Sequence, residues 1–156
     1  MPRTIYLVVF NSRLFPAHWG LWIPHTDDPG VGKFLEASGD AAEGFNIAFE
    51  RNYNLEATGR IHQVLRLAEM QDHLVVDVKG DGSQSTDQTV HDYLEQVALS
   101  VPAPSKSLVS ATAQGPKQRV EIQNCQTWLR AVVAALVQNG VIDQAALQAV
   151  DSAPKN

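Results

Sequence analysis

The chain has 156 residues, 44% of them hydrophobic and 19% charged, with a formal net charge of −5. That balance excludes a disordered chain, and the acidic excess with no Lys/Arg cluster disfavours nucleic acid or an anionic membrane as partner. The single cysteine excludes an internal disulfide and argues against a cysteine-based zinc site, so the core must rest on packing, which a chain of this length can supply.

The first half reads as strands and turns. Ile5 to Phe10 is a continuous apolar, β-branched run, too short for a signal-peptide core and suited to a central strand. Ala17 to Ile23 carries Trp19, Leu21 and Ile23 at period two, a strand with one face inward. Pro24 to Gly32 has turn chemistry, with Asp27, Asp28, Pro29 and Gly30. Lys33 to Ala37 is expected as a short strand ended by Gly39-Asp40. Phe45, Ile47 and Phe49 alternate in a strand reaching Arg51. Strands are also expected over 60–68 and 74–78, the second closed by Lys79-Gly80-Asp81-Gly82.

The period then changes. Thr86-Asp87 is expected to cap a helix with Val90, Tyr93, Leu94, Val97 and Ala98 on its apolar side, stopped by Val101-Pro102-Ala103-Pro104. Ser105 to Gln118 reads as a polar connector. Asn124 opens a helix to about Gln138, ended by Asn139-Gly140. A last helix covers about Asp143 to Val150, and 151–156 reads as a frayed tail after a single domain over 1–150. No stretch approaches the roughly 18 apolar residues of a membrane span, so a cytoplasmic location is expected.

Asn124 is a good N-cap, which makes Cys125 the first residue inside its helix, where the free N–H groups and the macrodipole favour a thiolate. Equally, a free cysteine is commonly a small buried apolar residue. A thiolate nucleophile needs a base. Of the five histidines, His18 opens a strand and points away from Trp19, Leu21 and Ile23; His25, His62, His73 and His91 read as ordinary structural or solvated side chains. A hairpin centred on Asp27 sets His18 opposite Glu36, on one face, where a carboxylate could orient the imidazole. A one-residue slip would move Glu36 to the other face.

Ala17-His18-Trp19-Gly20-Leu21-Trp22, followed far downstream by Asn124-Cys125-Gln126-Thr127-Trp128, resembles the lecithin:retinol acyltransferase-like proteins of the circularly permuted papain-like superfamily. The order also resembles small fungal proteins with an Asn-Cys-Gln-x-Trp motif. The resemblance implies a Cys125–His18 catalytic pair working through a thioester. Two departures stand out: Glu36 occupies the place of the family's second histidine, and Gln126-Thr127 replaces Glu-His. Because Asp151 to Asn156 is short and polar, no counterpart of the family's membrane-spanning C-terminal helix is expected.

The fold expected is α+β, permuted papain-like, with an antiparallel sheet packed against the helix that begins at Cys125. The function expected is that of a cysteine-dependent hydrolase or acyltransferase on a small acyl, amide or ester substrate. Cys125 is the nucleophile, His18 the base and Glu36 its orienting group; Trp19, Trp22, Phe34, Asn124, Gln126 and Trp128 line the substrate, and no metal or cofactor takes part. Two alternatives stand beside it. One is a cyclase or isomerase using His18 and Glu36 without a covalent intermediate, in a pocket of Trp19, Trp22, Trp128, Phe34 and Phe45. The other is a non-catalytic binding domain. Substrate identity and oligomeric state are not legible.

Overall fold

A computed structural model of the chain describes residues 2–13, 16–40, 43–104 and 124–156. Six strands form one open antiparallel sheet: β1 (Arg3–Phe10), β2 (His18–Pro24), β3 (Val31–Asp40), β4 (Gly44–Asn54), β5 (His62–Met70) and β6 (Ser85–Asp87). Their order across the sheet is β5-β1-β2-β3-β4-β6. Three helices follow, α1 (Tyr93–Ser100), α2 (Cys125–Gln138) and α3 (Ala145–Ser152). The architecture is therefore mixed α+β. Among the described residues no helix is long and apolar enough to cross a membrane.

The helices cover one face of the sheet, with α2 on β2 and β3 and α3 on β5. Alternation assigns each strand residue to a side. Ile5, Leu7 and Val9 of β1, with Trp19, Leu21 and Ile23 of β2, meet Trp128, Leu129, Val132, Val133 and Leu136 of α2. The intervening residues Val8, Phe10, Trp22 and Phe34 form a second buried cluster with Leu55, Tyr6 and Tyr53 on the opposite face. This explains the unbroken apolar run of β1, which is buried on both sides. Gly20 is required there, because a Cβ at that position would lie 2.1 Å from Cζ of Phe34.

Several sequence expectations are corrected. β3 runs to Asp40 instead of stopping at Ala37, because Gly39 pairs with Phe45 at an approach that leaves no room for a Cβ. Residues 74–78 are not a strand: Asp72–Leu74 makes a 3-10 turn and the segment is tied down by side chains. The N–H of Val76 donates to Asp92, and Asp77 accepts from Arg3 and Thr26. Thr86-Asp87 caps no helix. Those residues lie in β6 against β4, and the Asp87 carboxylate is bound by the Arg51 guanidinium. The cap of α1 is Asp92, whose side chain accepts from the Glu95 N–H at 2.7 Å. The connector expected at 105–118 lies outside the described residues.

The C-terminal residues dock instead of fraying. Asp151 and Ser152 belong to α3, Ala153 is buried, and the Lys155 carbonyl accepts from the Ala17 N–H at 2.8 Å. The Pro154 carbonyl accepts from the Trp19 indole at 2.9 Å, and the Lys155 ammonium sits over that ring. The start of β2 offers open backbone groups that no neighbouring strand uses, and the tail fills them.

Candidate functional site

Cys125 is the first residue of α2, and its position is set by the cap before it. The Asn124 side chain accepts from the Gln126 and Thr127 N–H groups, while the Thr127 hydroxyl accepts from the Asn124 N–H. This reciprocal capping box satisfies the first orphan donors of the helix and leaves the Cys125 N–H outside it. Asn124 therefore positions the cysteine and spends its carboxamide oxygen in doing so. The Cys125 thiol is buried and lies 3.8 Å from the Ala17 carbonyl, immediately before His18.

His18 opens β2 on the face away from Trp19, Leu21 and Ile23, as its alternation predicts. Its ring is one-quarter exposed, and its Nε2 is 3.7 Å from Oε2 of Glu36. The β2–β3 register sets Gly20, not His18, opposite Glu36. The slip from the expected register is two residues, so the face is kept and the pair meets diagonally. Burial by itself would lower the pKa of His18. Hydrogen bonding from the Cys125 and Glu36 side chains, with their charge, outweighs it and pushes the value up to about 9. Cys125, His18 and Glu36 are thus brought together from α2, β2 and β3.

The six residues expected around the substrate are divided by the sheet. Trp22 and Phe34 lie on the His18 face; the Phe34 ring meets His18 edge-on at 6.4 Å, whereas Trp22 packs on Tyr53 further along. Trp19 and Trp128 are buried on the helix side, their indoles donating to the Pro154 and Val101 carbonyls. Phe45 also packs on that side. One pocket lined by all three tryptophans with Phe34 and Phe45 is therefore excluded, because alternation along β2 sends Trp19 and Trp22 to opposite faces. Gln126 is also committed: its amide donates to the Ala17 and Lys155 carbonyls, both at 2.9 Å. It is a strut between α2, β2 and the tail and not a free ligand for a substrate.

Three residues near His18 escaped the sequence reading. Phe10 stacks on the imidazole at 6.0 Å with ring planes 21° apart. His62 lies 5.7 Å beyond Phe10, and the Arg60 guanidinium covers the Phe10 ring at 4.2 Å. The pairing of β1 with β5 creates this row, and no local pattern announces it. Among the described residues no group of three or more His, Cys, Asp or Glu side chains could hold a metal ion.

No curated protein and no solved structure matches this chain. One family model does, over residues 5–143, and so spans β1, the His18 strand, Glu36 and the Cys125 helix. The chain belongs to that family, a family of unknown function (DUF6540).

Proposed function

We propose that the protein is a cysteine-dependent hydrolase or acyltransferase. The observation that carries this reading is the convergence of Cys125 and Glu36 on the one imidazole of His18. Sγ of Cys125 attacks an acyl carbonyl beside the protonated imidazole of His18. The tetrahedral oxyanion is received by the Cys125 N–H, which the capping box leaves free of Asn124. Collapse breaks the bond to the leaving group, which departs with the proton held on His18, and leaves a thioester. Water, deprotonated by His18, releases the acid; a second nucleophile in its place completes transfer. Glu36 acts through His18: its carboxylate faces Nε2 and holds the imidazole in orientation. The chain order, with the histidine strand first and the cysteine helix late, agrees with a permuted papain-like arrangement of the α+β fold.

The test is acyl capture. Incubation with a panel of activated p-nitrophenyl esters, followed by peptide mapping, should find an acyl mass on Cys125. That mass should be absent from Cys125→Ala. Cys125→Ala and His18→Ala should each abolish turnover, and the double variant should be hardly worse than either alone. Glu36→Gln should slow turnover and leave a residual rate, as a lost orienting group does. Turnover that survives Cys125→Ala but not Glu36→Gln would overturn the reading in favour of non-covalent acid–base chemistry.

A further inference from the structure

We propose that Arg60 selects acyl donors that carry a carboxylate, a specificity that rests on the thiol reading of Cys125 and His18. The register across three strands places His62, Phe10 and His18 directly opposite one another, hence on one face. Phe10 is buried, and its ring is stacked by the imidazole of His18 and covered by the guanidinium of Arg60. The two separations, 6.0 and 4.2 Å, bound the distance from the Arg60 charge to the centre of the His18 ring at about 10 Å.

Arg60 differs from four other arginines of this acidic chain in having no carboxylate partner among the described residues, and from Arg13, which has none there either, in resting on an aromatic ring. Arg3, Arg51, Arg66 and Arg130 each pair with a carboxylate: Asp77, Asp87 and Glu95, Glu69, and Asp151. Among the described residues no carboxylate lies within ion-pair distance of Arg60, which is exposed and held by a ring. Its backbone is also fixed, its carbonyl meeting the His62 Nδ1 at 2.8 Å. A guanidinium resting on an aromatic face keeps its N–H edge outward and ready for a planar, bidentate partner. Glu36 occupies the other flank of His18, so the cationic flank is the one that can receive an anion. The substrate class that fits is an acyl donor that carries a carboxylate on the Arg60 side of the scissile carbonyl.

Two alkylating probes of equal shape test this without a known substrate. Iodoacetate carries the carboxylate and iodoacetamide does not. With either, Sγ of Cys125 bonds to the methylene carbon, iodide leaves with the C–I electron pair, and His18 holds the proton. The rate at Cys125 is followed by mass mapping. Arg60→Gln should lower the iodoacetate-to-iodoacetamide rate ratio roughly threefold, the size expected of a screened charge at that range. Arg60→Lys should keep most of the ratio, and added salt should erode it in the native protein. An unaltered ratio in Arg60→Gln, or an equal fall in both rates, would overturn the assignment and leave Arg60 as a cover for Phe10. If iodoacetamide reacts no faster than with a free thiol peptide, the thiol reading itself fails, and this proposal with it.

Discussion

His18 sits where a strand begins, between a thiol, a carboxylate and a phenyl ring. Burial favours the neutral imidazole, and the two acidic neighbours reverse that preference, bringing the pKa from the ordinary 6.5 to about 9. NMR titration of the ring should therefore show a midpoint well above 6.5 in the native protein. Cys125→Ala should bring the midpoint down, since Cys125 contributes most of the upward pull, and Glu36→Gln should lower it by less. A raised folded-state value stabilises the fold fully below pH 6.5 and loses that contribution as the pH rises through about 9. The stability difference between the native chain and His18→Gln should accordingly be largest near pH 6 and shrink on the alkaline side. A midpoint that ignores both substitutions would separate His18 from the site. The histidine's face was legible from period two alone. Its register to Glu36 was legible only to within two residues, because turn length and bulges set it.

At the scale of elements, α2 is held in place by two different devices in its first turn. Asn124 acts within the helix, through two backbone N–H groups. Gln126 acts outward, joining the helix to the carbonyls of Ala17 and Lys155. Both Asn124→Ala and Gln126→Ala should destabilise the protein by about 1–2 kcal/mol in urea unfolding, the usual size of a lost cap or of stranded buried acceptors. They should differ in a second readout. Gln126→Ala frees the start of β2, so it should lower the His18 titration midpoint, and Gln126→Glu should not restore it because a carboxylate donates nothing. Asn124→Ala should chiefly fray the helix start, seen as faster amide exchange over residues 125–127. The cap was legible because an N-cap and its helix are neighbours in sequence. The Gln126 strut was not, because both its partners come from distant segments.

At the scale of the molecule, a buried ionic network joins α1 to the sheet on the helix side. Lys33 binds Asp92 and Glu95, and Arg51 binds Glu95 and Asp87, with Lys33, Arg51 and Glu95 almost wholly enclosed. Burial works against the Glu95 charge, but hydrogen bonds from Arg51 and the charge of Lys33 win and hold its pKa below the ordinary carboxylate value. Removing one member leaves uncompensated charges in a dry site. Glu95→Gln should therefore cost about 3 kcal/mol or more in urea unfolding. Glu69→Gln, which breaks the exposed pair with Arg66, should change stability by less than about 1 kcal/mol. Comparable losses from the two would deny the network its burial.

Local pattern was sufficient for the mixed α+β content, for the helix over Cys125–Gln138 with its cap, and for the inward face of β2. These depend on hydrogen bonds and periodicities that close within a few residues. It failed at 74–78 and at Thr86-Asp87, where Arg3, Asp92 and Arg51 supply partners that a local reading cannot see. It failed also at the tail, whose polar composition reads as solvent-facing until the open start of β2 is present to receive it. The strand order decided the rest. By placing β1 between β5 and β2, it put Phe10, Arg60 and His62 beside His18, and by laying α2 over β2 it delivered Cys125 to the same imidazole. Contacts of that kind depend on which strands lie side by side, and neither composition nor periodicity carries that information.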